Sequence, residues 1–245
     1  MKLNIRNLSS FFLLVIVFFY GCKVDEPSDA TTLPSNTINK ITIDKHGVKW
    51  IATDNGLASF DGKSWKTYSN ESALNNKPIL SLFYDVFSEN EQLWASTNEG
   101  VVNTEISGQN ITVNNNYRKA SNELLNDTVF SVATDNKSAK FFGTPNGLSI
   151  LKNSVWTSYD GRWGNKSKDN FLTRKSITAI TSAKNGWNYV STMGGGVSRF
   201  QYADAVSGAT KYFQPWAFGL KSDTVYTVII VNDTCQWYGT TKGAA

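Results

Sequence analysis

Few residues in this chain could do chemistry. It has one histidine, His46, and two cysteines, Cys22 and Cys235. One imidazole and at most one free thiol cannot furnish a zinc site or a Ser-His-Asp triad. His46 sits beside Gly47 in a turn-like stretch, where an imidazole is ordinarily solvated. Two carboxylates, Asp54 and Glu99, hold matching places and could meet as an acid–base pair, although solvation accounts for both more simply. Gly194-Gly195-Gly196 lacks the strand-then-helix setting of a phosphate cradle and reads as a turn. No catalytic residue, metal or cofactor is expected, which leaves binding. Two stretches offer it: Arg162, Trp163, Lys166 and Arg174 in one, Trp216 and Phe218 in the other. An indole beside a cation can stack on the flat apolar face of a sugar or peptide. The plainer use of such rings is to pack a loop onto the strands below. Arg162, Trp163, Arg174 and Trp216 are the candidate ligand-binding residues.

What must position those loops is a repeat. Five segments align without gaps: Trp50 to Gly56, Trp94 to Gly100, Phe141 to Gly147, Tyr189 to Gly195 and Trp237 to Gly243. Each reads aromatic-x-x-Thr-x-x-Gly, with Thr53, Thr97, Thr144, Thr192 and Thr240 spaced 44, 47, 48 and 48 residues apart. Near-constant spacing of this kind marks a tandem architecture. Before each motif lies an apolar alternating segment: Ile38 to Ile43, Ile79 to Tyr84, Val129 to Ala133, Ile177 to Ile180 and Val225 to Val231. After it come a third strand, as in Gly56 to Phe60, and a fourth, as in Ser64 to Tyr68 or Val155 to Tyr159. Four short antiparallel strands per unit make a propeller blade. The aromatic fills the wedge between neighbouring blades, and the Gly permits the turn. The predicted fold is an all-β propeller over residues 37–245, with four complete blades and the first two strands of a fifth.

The run from Asp44 to Gly62 (DKHGVKWIATDNGLASFDG) resembles the two-component-regulator propeller repeat. The resemblance covers about 85% of the chain. Blade 2 departs from it, with Val101-Val102-Asn103-Thr104 where an aromatic is usual, and blade 4 carries an extra glycine. The family is common in extracellular halves of membrane sensor kinases and in lipoproteins of polysaccharide-foraging Gram-negative bacteria. Its rings close with more blades, often about seven. The resemblance therefore implies a truncated ring, because an open arc leaves two unpaired apolar edges unless a second copy covers them.

The first residues are not part of the fold. Lys2 and Arg6 form a positive leader, and Phe11 to Tyr20 is an apolar run short of the roughly 20 residues a spanning helix needs. Phe19-Tyr20-Gly21-Cys22 resembles a bacterial lipobox, although Leu and a small residue are commoner at the first two places. That resemblance implies a signal peptide over 1–21, a lipid on the Cys22 thiol, and membrane attachment. Cys22-Lys23-Val24-Asp25-Glu26 is similar to the tag that carries some lipoproteins to the outer face of the outer membrane. Residues 22–36, polar and with two prolines, read as a flexible tether. With Cys22 lipidated, Cys235 has no partner and no disulfide is expected. Losing Lys2 and Arg6 takes 24 basic residues to 22 against 20 acidic, and no Lys/Arg run follows, so nucleic acid is not an expected partner.

In a propeller the loops between blades and the turns between second and third strands leave from one side. Residues 69–77, 117–127, 160–175 and 213–224 form these long loops and build the expected binding face. The function expected is non-catalytic: an outer-membrane lipoprotein, periplasmic or surface-exposed, that binds or senses a carbohydrate or an envelope protein. The alternatives are a scaffold in envelope assembly or secretion, and a glycoside-active enzyme using the central depression. A downstream kinase would make it a signalling sensor, an arrangement that a lipid anchor disfavours.

Overall fold

The computed structural model describes residues 33–88, 90–160, 172, 174, 176–201, 211–213, 219–232 and 235–245. They form five antiparallel sheets in sequence order. Blade 1 has β1 (Ile38–Ile43), β2 (Lys49–Thr53), β3 (Gly56–Phe60) and β4 (Trp65–Thr67). Blade 2 has β5 (Ile79–Asp85), β6 (Gln92–Thr97), β7 (Val101–Ser107) and β8 (Asn110–Tyr117). Blade 3 has β9 (Ser131–Thr134), β10 (Lys140–Thr144), β11 (Gly147–Lys152) and β12 (Val155–Tyr159). Blade 4 has β13 (Ile177–Ser182), β14 (Trp187–Thr192), β15 (Gly196–Gln201) and β16 (Lys211–Phe213). Blade 5 has β17 (Val225–Asn232), β18 (Cys235–Thr240) and the two-residue β19 (Gly243–Ala244). Each blade is a simple meander, and the fifth has three strands where the sequence pattern predicts two.

The blades are joined by their aromatics. Trp50, Trp94, Phe141 and Tyr189 are at most 2% exposed. Each enters a core completed by the next blade's inner strand: Trp50 with Leu82 and Tyr84, Trp94 with Val132, Phe141 with Ile177 and Ile180, Tyr189 with Val225 and Val228. Burying such a ring contributes about 3 kcal/mol. Trp237, the fifth of the series, is 54% exposed, and so are Ile41 and Ile43 on blade 1, at 52% and 58%.

Two features of the repeat gain a physical reason here. The residue before each threonine is small (Ala52, Ser96, Gly143, Ser191, Gly239). At Gly143 a Cβ would come within 2.5 Å of Ile177 Cγ2, so the next inner strand needs that space. The threonine closes the following turn twice. Thr53 Oγ1 donates to the Gly56 carbonyl (2.8 Å) and accepts from the Asn55 amide (3.2 Å). Thr97, Thr144 and Thr240 repeat both bonds. In blade 4 Thr192 reaches Gly196 instead, at 3.1 Å, and β15 starts there. The ungapped spacing picks Gly195; the extra residue in this turn moves the pairing glycine one place on.

Gly100 and Gly147 lie at φ +124° and +138°, and a Cβ would meet the carbonyl of Tyr117 at 2.2 Å or of Tyr159 at 2.1 Å. At Gly56 (φ +130°) the nearest backbone atom is 3.4 Å away. Replacing Gly100 or Gly147 by Ala is expected to cost about 3 kcal/mol in urea unfolding, from positive φ plus backbone collision. Gly56→Ala should cost about 1–2 kcal/mol, from φ alone.

Candidate functional site

Each blade's first-to-second-strand turn lies at the opposite end from its second-to-third-strand turn, so the molecule has a turn face and a loop face. The loop face carries the entry to every inner strand, and there the structure shows what the sequence pattern hides. The inner strands β1, β5, β13 and β17 each have a register shift after their first residue, at Ile38/Lys40, Ile79/Ser81, Ile177/Ala179 and Val225/Thr227. A bulge of this kind turns one side chain out of the ladder. The residues turned out are Asn39, Leu80, Thr178 and Tyr226, with Phe130 in the matching place of blade 3. Their predecessors Ile79, Val129, Ile177 and Val225 are fully buried, while Phe130 is 39% and Tyr226 53% exposed.

These positions divide into ties and platforms. Asn39 Nδ2 donates to the Ile79 carbonyl of blade 2 at 3.0 Å and to Asp54 Oδ1 at 2.8 Å. Thr178 Oγ1 donates in the same way to the Val225 carbonyl of blade 5. Phe130 and Tyr226 instead present rings to solvent beside the loops, and Met193, 52% exposed, lies in the neighbouring turn of blade 4. Only the repeat could have flagged these residues: each directly follows the first residue of the apolar segment that opens its blade.

Of the residues selected from sequence, Arg174 is exposed on this face, and its Nε donates to the Gly194 carbonyl at 3.3 Å, holding its loop to the blade 4 turn. Arg162, Trp163, Trp216 and Cys22 lie outside the described residues, as do residues 1–32. Asp54 and Glu99 do not act as a pair here. Asp54 accepts from Asn39, and Glu99 is bound by Lys77 at 2.7 Å, whose ammonium holds the carboxyl below its ordinary range. The end of the predicted tether rests on blade 1, where the Pro34 carbonyl accepts from Asn55 Nδ2 at 3.3 Å. Leu33 and Pro34, with Asn55, Tyr68 and Asn75, line a loop-face cleft of about 270 Å³.

His46 is on the turn face and is not simply solvated. Its Nε2 lies 2.9 Å from Glu91 Oε1, which also takes Lys45 Nζ at 2.8 Å, while Tyr84 Oη donates to Glu91 Oε2 at 3.0 Å. Burial would raise the Glu91 carboxyl, but these three donors outweigh it and hold the pKa at about 2. Burial, then the bond to Glu91, pushes the Tyr84 phenol up to about 12. Lys45 and His46 belong to blade 1, and Tyr84 and Glu91 to blade 2. The cluster is a clasp across a joint.

No family profile matches the sequence, and no curated protein matches it. Solved structures do share its fold. The extracellular domain of the hybrid two-component system BT3049 from B. thetaiotaomicron superposes with a TM-score of 0.66 at 23% identity, over 87% of this chain and 28% of that one. The corresponding domain of BT4673 from the same organism gives 0.65 at 23%, over 89% and 29%. PorZ, a surface component of the type-IX secretion system of Porphyromonas gingivalis, gives 0.65 at 16%, over 90% and 34%. This chain thus spans about a third or less of each of those chains. The likeness establishes a β-propeller. Among the described residues, no helix is long and apolar enough to cross a membrane.

Two outcomes follow from this geometry. Asn39→Ala, which strips the Ile79 carbonyl of its donor, should lower stability by about 1 kcal/mol in denaturant unfolding. The Glu91 carboxyl titrates near 2 when folded and near its ordinary 4.5 when unfolded. Its stabilising contribution is therefore complete above about pH 4.5 and disappears as pH falls towards 2. Thermal melts between pH 5 and 2.5 should fall more steeply for the native chain than for Glu91→Gln.

Proposed function

We propose that this chain is a non-catalytic binding module of the bacterial cell envelope, of the two-component-regulator propeller type. A lipid on Cys22 holds it to a membrane, and its loop face engages a carbohydrate or an envelope protein. The observation that carries this reading is the set of bulges at the head of the inner strands. The bulge of blade 5 exposes Tyr226, and the matching place of blade 3 exposes Phe130, on the face from which the loops bearing Trp163, Arg174 and Trp216 depart. Rings set on rigid strands and surrounded by loops are how a scaffold presents a stacking surface while the loops supply polar contacts. A shared fold with extracellular domains of two-component systems, and with a surface component of a secretion system, supports an envelope-exposed role in sensing or scaffolding.

The likeness to PorZ favours a scaffold in secretion or envelope assembly as the second reading. The experiment that separates the two applies the chain from residue 23 onward to a glycan array and, in parallel, to a pull-down from envelope extract. Under the first reading a polysaccharide is retained, and Trp163→Ala, Trp216→Ala, Phe130→Ala and Tyr226→Ala each weaken binding about tenfold without changing the melting temperature by more than a few degrees. An empty glycan array beside one reproducible envelope protein, captured by the native chain and lost in those same variants, would replace that reading with the scaffold.

A further inference from the structure

Among the described residues, the turn face holds a staple at three joints and a cleft at the fourth. In blade 1, Asp44 ends the inner strand and builds its turn. Its Oδ1 accepts from the amides of His46 (2.9 Å) and Val48 (3.0 Å), and its Oδ2 from Trp50 Nε1 (3.0 Å). Asp135 does the same in blade 3, accepting from Lys137 and Ala139 at 2.9 Å each. In blade 2, Asp85 takes the Phe87 amide at 2.9 Å, while its Oδ2 reaches Lys140 Nζ of blade 3 at 3.3 Å. Asp44, Asp85 and Asp135 are 6%, 0% and 1% exposed, so each carboxylate fills interior space at this level of its blade.

Blade 4 keeps the turn and lacks the carboxylate. Ala183 N donates to the Trp187 carbonyl (2.8 Å) and Gly186 N to the Ala183 carbonyl (3.0 Å), the backbone pattern of Asp44 and Asp135. The Trp187 amide, which an aspartate would take, is held by Asn185 Oδ1 at 3.1 Å. The first three joints are bridged on this face by the Glu91 clasp, by Asp85–Lys140, and by Asn136 Nδ2 on the Lys184 carbonyl (3.1 Å). Between blades 4 and 5 the same level is a cleft of about 570 Å³. That is within the range of small-molecule sites.

Its walls differ in character. Blade 4 gives Thr181, Ser182, the methyl of Ala183 and the exposed Lys184; blade 5 gives Ile230, Val231 and Asn232. Both hydroxyls are already spent as donors, Thr181 on the Val228 carbonyl at 2.8 Å and Ser182 on Asn188 Oδ1 at 2.6 Å. The cationic donor on this wall is the Lys184 ammonium, and across from it stand two aliphatic side chains. We infer that this cleft, opened by an alanine where three other blades carry a buried aspartate, is a second binding site. It takes a small amphiphilic anion, with an aliphatic body against Ile230 and Val231 and a carboxylate at Lys184. The site is on the face opposite the loops and is independent of any ligand bound there.

Hexanoate is the probe, titrated into the chain from residue 23 onward and followed by amide chemical shifts. Saturable shifts centred on residues 181–184 and 230–232 are expected, with a Kd of about a millimolar or tighter. Ala183→Asp restores the residue that the same turn uses in blades 1 and 3, so it should fold and melt no lower than the native chain. It should also abolish binding, by filling the space and repelling the anion. Lys184→Gln, an exposed change, should weaken hexanoate about tenfold and leave 1-hexanol unaffected. Should Ala183→Asp fail to fold, Lys184→Gln decides alone. Absence of saturable shifts, undiminished binding in the Asp variant, or hexanol binding as tightly as hexanoate would each overturn the inference.

Discussion

The structure depends on one contact: a ring from the second strand of a blade seated against the inner strand of the next. Trp50, Trp94, Phe141 and Tyr189 make it four times. The ring must be large because blades splay apart from the axis, and it must have no bulk beside it. Hence the small residue two places on, where Gly143 leaves room for Ile177. The threonine and glycine that follow fix where the strand stops, and so the depth at which the ring enters. The repeat is thus a specification of a joint as much as of a blade.

Polar groups then decide what each end of a joint can do. On the turn face the inner strands of blades 1 to 3 end in a buried aspartate that consumes amides of its own turn and, in blade 2, a lysine of the next blade. Burying a carboxylate is costly unless every lone pair finds a donor, and here the turn supplies them. Trp94 shows the limit of this economy. Its indole nitrogen is buried with no hydrogen-bond partner among the described residues, because Asp85 is engaged by Ser88 and Lys140, where Asp44 serves Trp50 directly. On the loop face the bulge does the opposite and turns a side chain outward. Substituting the exposed Phe130 or Tyr226 changes the surface, whereas Asn39 and Thr178 at the same places tie the joint.

Much of this was legible in the sequence because it repeats. The inner strands, the aromatic strand and the tight turn fall where the periodicity puts them, and the arc of blades follows. What escaped was set by single residues against that background. The extra glycine of blade 4 looks like a harmless insertion until Thr192 is seen to bond Gly196. The third strand of blade 5 is two residues long, too short to carry a pattern. The residues at these places vary from Asn to Phe because some tie to the next blade and others face solvent, and variable positions leave no periodic signal. His46 looked like a turn residue, and its partner Glu91 is 45 residues away, on the next blade.

Strand contacts run principally between successive blades, which makes the molecule nearly one-dimensional. Its stability is then, among the described residues, chiefly a sum of blade terms and joint terms. Such an object tolerates the loss or gain of a unit with little rearrangement of the rest, because the code for the next joint is already written on the exposed face of the last.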